Sequence, residues 1–220
     1  LAEGNWETVV DERRPGWEHT GIRVGVLQQG ESLELADSGI ERIVVPLSGT
    51  FTVKYTEDGQ EHTQELEGRK SVFHGATDVI YLSAATTAVV SGEGRFAVAT
   101  SPTTQVFPTK YVAKKDVAIE LRGTGASSRQ VHNFGTVGNL DAARFIVCEV
   151  VTPSENWSSY PPHKHDEHVP GHESRLEEIY YFEAAPVRQA PEDVNTEEAF
   201  GMFSTYSSPA GDIDIDARVF

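Results

Sequence analysis

Half of the chain's eight histidines fall in one stretch, YPPHKHDEHVPGHESRLEEIYYF, residues 160–182: His163, His165, His168 and His172. His163 and His165 are two apart, and on an extended strand residues i and i+2 share a face. Two imidazoles placed this way can aim at one point, and imidazole ligates zinc, manganese, iron, nickel or copper. Pro161 and Pro162 fix the entry backbone and have no N–H for a sheet ladder, so the pair belongs at a strand's start or edge. The run LEEIYYF reads as a second strand, with Glu178 and Tyr180 on one face and Glu177, Ile179 and Tyr181 on the other. If the two strands are neighbours, one of the two glutamates faces the histidines. Two imidazoles and a carboxylate are three ligands of a half-open metal site suited to Lewis-acid or redox chemistry. His168 and His172 lie in a polar loop around Pro170-Gly171, where they are either exposed or lining the mouth of the site.

The elements that must position these residues are strands. GIRVGVLQ, ERIVVPL, TFTVKYT, DVIYLS, TTAVVSG and RFAVAT are short and rich in Val, Ile, Thr and Tyr, with Gly, Asp, Asn and Ser clusters between them. Asp58-Gly59 in YTEDGQE is a hairpin signal. Helical periodicity is nearly absent; PEDVNTEEAFGM has room for one short turn. Residues 101–128 mix prolines, glycines and lysines and read as a crossing segment. After it the strand pattern restarts with ARFIVCEVV, EEIYYF, MFSTYS and IDIDARVF. The chain is therefore expected to be all-β, with two successive units of about 100 residues built as barrels or sandwiches.

Composition narrows the function classes. A formal net charge of −16 repels a phosphate backbone, so no nucleic acid partner is expected. An anionic substrate would need a metal or an arginine to reverse the sign locally. No run approaches the roughly 18 apolar residues of a membrane span, and no secretory signal is visible. The single cysteine, Cys148, sits in an apolar β-prone run and is expected to be a small buried hydrophobe, which fits a cytoplasmic protein.

PPHKHDE, LEEIYYF and RGTGASSRQVHNFG (residues 122–135) resemble the bicupin 5-deoxy-glucuronate isomerases of bacterial myo-inositol catabolism, and GWEHTGIRVGVLQQGES and FHGATDVIYL fit the first cupin of that family. The likeness covers nearly all of the chain. It implies two cupin-like β-barrels: residues 1–115 without a metal motif and residues 116–220 with one. It implies an aldose–ketose isomerase that converts 5-deoxy-glucuronate, a small uronate, to 2-deoxy-5-keto-gluconate. The family motif assigns His163, His165 and Glu178 to a divalent metal, zinc or manganese. It also requires a fourth ligand, a later histidine. The last histidine here is His172, so the fourth ligand is not present in this chain and the second barrel is expected to lack its last strands.

For the proton-transfer step, His172 and Glu173 are the candidates. For the substrate carboxylate, Arg129 comes first, because a guanidinium fork matches a carboxylate, followed by Lys164; Tyr180 is a further substrate contact. Arg129 is expected near the histidine pair, with an ion pair between the barrels as its alternative role. Two other functions share the scaffold: an Fe(II) cupin dioxygenase, and a non-enzymatic sugar-binding bicupin. A homo-oligomer fits a metal-free first barrel that serves packing.

Overall fold

The computed structural model describes all residues except 1, 3, 12, 36, 37, 187–198, 210–213, 215 and 220. Most of PEDVNTEEAFGM lies outside the described residues. Among the described residues the only helical elements are two 3-10 turns, Lys114–Asp116 and Gly125–Ser127, and the rest of the regular structure is strand.

Eight strands form one antiparallel sheet: β1 (Trp6–Val10), β2 (Gly21–Leu27), β3 (Ser32–Leu35), β4 (Ile40–Glu57), β5 (Gln60–Arg69), β6 (Val79–Leu82), β7 (Thr87–Pro102) and β8 (Lys110–Val112). The main path runs β1-β2-β7-β4-β6-β8, with β3 on β7 and β5 on β4. ERIVVPL and TFTVKYT, read as separate strands in the sequence, are one 18-residue strand, and TTAVVSG and RFAVAT are likewise one. Glycines make this possible. Gly49 has φ +93°, and a Cβ there would fall 1.9 Å from the Glu93 carbonyl oxygen; Gly94 has φ +129° and stands as close to Ser48. The two strands therefore stay paired through this point, with Gly49 opposite Gly94 and a register shift between Pro46 and Ser48, instead of ending in turns. The Asp58-Gly59 hairpin forms as expected, with φ of 51° and 76° in the turn that joins β4 to β5.

β4 is apolar on both faces because both faces are covered. Val44, Phe51 and Val53 point into the sheet's own interior with Leu27, Leu66, Phe96 and Val98. Ile43, Val45 and Leu47 point outward and pack with Tyr81, Ala97, Phe134, Leu140 and Phe145. The last three come from the second half of the chain, so the halves share a core. Two buried charges in β4 reinforce it. Glu41 accepts hydrogen bonds from Tyr81 Oη and from the backbone N–H of Ala143 and Arg144 at 2.7–2.8 Å, and the Arg42 guanidinium donates to the carbonyls of Leu35, Ser83 and Thr86.

The second half contributes a three-stranded antiparallel sheet, β11-β10-β9, from β9 (Ala118–Arg122), β10 (Arg129–Gly135) and β11 (Val147–Val151), and a hairpin of β12 (Phe203–Tyr206) and β13 (Asp216–Val219). One face of the three-stranded sheet rests on the first half. There His132, 1% exposed, holds Glu149 Oε1 through Nδ1 at 2.8 Å, and Glu149 pairs with Arg69 of β5 through both oxygens. Cys148, expected to be buried, is exposed, because it lies on the opposite face of β11 from Glu149.

Candidate metal centre

PPHKH and LEEIYYF are extended, but neither is a strand of a ladder, contrary to the sequence reading. The prolines have no N–H to offer, and a single backbone bond joins the segments, from Leu176 N–H to His165 O at 2.9 Å. The expected alternation of faces nevertheless holds. Glu177 turns toward the first half, where both of its oxygens accept the consecutive N–H groups of Glu18, His19 and Thr20 at 2.8–2.9 Å. Tyr181 turns the same way: its hydroxyl donates to Glu7 and receives a hydrogen bond from Arg95 Nη2 at 2.6 Å. Burial pushes its phenol up to about 12, so it keeps its proton. Glu183 completes this side with an ion pair to Arg95 at 2.7 Å.

Glu178 and Tyr180 turn the other way. One ligand atom from each of His163, His165 and Glu178 lies within 4.8 Å of the other two. The imidazoles meet edge to face, with centroids 5.1 Å apart. A metal with bonds of about 2.1 Å sets donors about 3.4 Å apart in a tetrahedron, so small rotations of these side chains suffice to close on an ion. The donor set, two imidazole nitrogens and one carboxylate oxygen, suits zinc or manganese. His163 and Glu178 are exposed and His165 is half-buried, leaving the cluster open on one side.

Around it, Tyr180 shares a hydrogen bond with Ser159 at 3.1 Å, stacks on Phe182 and meets the Phe203 ring at a tilt of 40°. Burial raises its pKa, the hydrogen bond to Ser159 works against this, and the Glu178 carboxylate adds to it.

The other residues singled out in the sequence have different surroundings. The Lys164 ammonium is held by Asp166 and Glu173 at 2.8 Å and by Glu167, so three carboxylates already neutralise it. Its pKa is raised accordingly, first by Asp166. Glu173 also accepts the N–H of Glu167, and Lys164 holds its carboxyl below the usual value. His172 is exposed, its backbone N–H closing a turn onto Val169 O. His168 is exposed as well. Arg129 sits at the start of β10 opposite Arg122 and donates to Ser127 O at 3.1 Å; its side chain stays beside its own turn. Sequence reasoning missed the Lys164 clamp and the anchoring of Glu177. The alternation in LEEIYYF carried a signal for Glu177, but nothing in GWEHT announced a row of backbone donors.

An all-β fold with a His-x-His pair and a glutamate converging beside it defines a cupin-like protein. The chain belongs to the KduI/IolB family, whose model it matches over residues 1–219. It is 34% identical over 190 residues to a 5-deoxy-glucuronate isomerase of Geobacillus thermodenitrificans, covering 84% of this chain and 66% of the relative. It is 42% identical over 149 residues to one of Shouchella clausii, covering 66% of this chain and 54% of the relative. An IolB-like protein of Salmonella typhimurium LT2, known from its crystal structure, superposes with a TM-score of 0.72 at 29% identity, covering 79% of this chain and 66% of that one. The chain thus spans between about half and two thirds of the length of these relatives. No helix among the described residues is long and apolar enough to cross a membrane.

Proposed function

We propose that the chain carries the metal-binding part of a 5-deoxy-glucuronate isomerase, a cytoplasmic aldose–ketose isomerase of inositol catabolism. In this reading residues 1–115 are a structural cupin-like barrel and residues 116–220 contribute the second, ligand-bearing one. His163, His165 and Glu178 would hold a divalent ion, zinc or manganese, and its charge would stabilise an enediolate-like transition state. The observation that supports this is the convergence of three ligand atoms from two segments separated by a ten-residue loop.

The surrounding side chains take defined parts in the proposal. Tyr180, a neutral phenol beside Glu178, donates a hydrogen bond to a substrate oxygen. Arg129 is the cation for the substrate carboxylate and would have to leave Ser127 O to reach it. Lys164 is already neutralised and serves to shape the loop, not to bind the carboxylate. Glu173, held as an anion by Lys164, is a poor proton acceptor, which leaves His172 as the proton carrier.

The test is the metal content of purified protein, followed by turnover of 5-deoxy-glucuronate observed by NMR in deuterated water. Bound metal with deuterium incorporation beside the carbonyl is the expected result. Oxygen consumption without isomerisation, or a metal-free protein with full activity, overturns the reading.

A further inference from the structure

We propose that β9 is an association edge through which two copies of this chain pair strand to strand. β9 is the outer strand of the three-stranded sheet, and all five of its residues are exposed. Ile119 is 54% and Leu121 83% exposed. Among the described residues no strand lies on its outer side. An exposed edge of this kind presents unpaired N–H and C=O groups, a template for another strand.

The sequence of the edge selects the partner. In AIELR, Glu120 and Arg122 flank Leu121 on the same face of the strand, where they pair with each other at 2.9 Å. An antiparallel pairing about a two-fold axis through Leu121 sets Leu121 against Leu121 of the second copy. It sets Glu120 against Arg122 of that copy, and Arg122 against its Glu120. The two internal ion pairs become a ring of four alternating charges, while the two leucines cover each other. Directly opposed unlike charges stabilise an antiparallel pair and like charges destabilise it. A two-fold contact requires such a self-complementary patch, and this five-residue strand is one. The net charge of −16 opposes approach of two copies, so the local complementarity has to offset it. The contact is small, so association is expected in the micromolar range typical of small interfaces. This inference does not depend on the metal centre.

Sedimentation velocity at roughly physiological ionic strength, over about 1–100 μM protein, reads it. The expected result is a dimer whose population grows with concentration. Because each substitution acts twice across the axis, Glu120→Arg and Arg122→Glu should each weaken the dimer about tenfold, and the two together should restore it. Arg122→Glu should melt like the parent, whereas Glu120→Arg also removes the acceptor of Asn133 Nδ2 and should melt slightly lower. In a Cys148→Ser background, Leu121→Cys should yield a disulfide-linked dimer on mild oxidation. Three results would overturn the proposal: a monomer throughout the range, a dimer indifferent to both charge reversals, or failure of Leu121→Cys to cross-link. A monomer in which the β9 amides exchange slowly would also overturn it, since the chain itself would then be covering the edge.

Discussion

Glu177 and Glu178 are adjacent in sequence and face away from each other: Glu178 stands with the two histidines, and Glu177 holds three backbone N–H groups of residues 18–20. Consecutive side chains of an extended segment point to opposite sides, so fixing one fixes the other. Successive N–H groups in a loop form a concavity that binds an anion. Glu177 therefore helps to orient Glu178 by its hold on the first half of the molecule, together with Tyr181 and Glu183 further along the same side.

Glu177→Gln should lower stability by about 2 kcal/mol, the usual loss for hydrogen bonds to a charged group. It should also weaken metal binding with all three proposed ligands intact. Thermal melting and a metal titration of the purified variant check both. Unchanged affinity would mean that the segment is aimed by something else.

Replacing the proposed ligands should have the opposite profile. His163 and Glu178 are exposed, so His163→Ala and Glu178→Gln should change stability by no more than about 0.5 kcal/mol. Each should empty the site when elemental analysis follows dialysis. A chelator should reproduce the loss in the parent protein without unfolding it.

Acid stability should depend on the Arg69–Glu149–His132 contact. Burial alone would raise the Glu149 carboxyl, but the Arg69 guanidinium and the His132 ring outweigh it and hold it below its ordinary value of 4.5. A carboxyl that is more acidic when folded adds stability above its unfolded value. That contribution fades as pH falls through 4.5 toward the depressed native value. Stability measured from pH 7 down to pH 3 should therefore decline below about pH 4.5, and the decline should be shallower in Glu149→Gln. Arg69→Met should cost about 3–5 kcal/mol at neutral pH, because it strands a buried carboxylate.

Phe134→Ala removes a ring that is 2% exposed and lies in the core common to both halves. A loss of about 3–5 kcal/mol is expected, with unfolding still in one transition by circular dichroism and by tryptophan fluorescence. Two separated transitions in the parent would show that the halves fold independently.

Much of this was legible in the residues. Hydrophobic alternation and turn chemistry marked the strands, and Asp58-Gly59 located its hairpin. The i, i+2 spacing of His163 and His165 gave the imidazole pair, alternation left the carboxylate to Glu177 or Glu178, and the family motif chose Glu178. The joining of pairs of runs into β4 and β7 was not legible, since Gly49 and Gly94 look like turn residues until their close approach to the facing strand is known. The partners of Lys164 were hidden for a related reason. A lysine among acidic residues reads as solvated, and only the fold of the loop brings Asp166, Glu167 and Glu173 onto one ammonium.

The core common to the two halves has a consequence for biosynthesis. The eight-stranded sheet is complete in sequence at Val112, yet the outward side chains of Ile43, Val45 and Ala97 are covered by Phe134, Leu140 and Phe145. At ribosomal speeds of about 5–20 residues per second, those three side chains follow roughly 1–7 s behind. During that interval the nascent chain presents a wet apolar stripe on an otherwise formed sheet. Chaperone capture and temperature-sensitive expression should therefore be governed by the outer face of β4, whereas substitutions in the ligand loop, made later and left in solvent, should hardly alter yield.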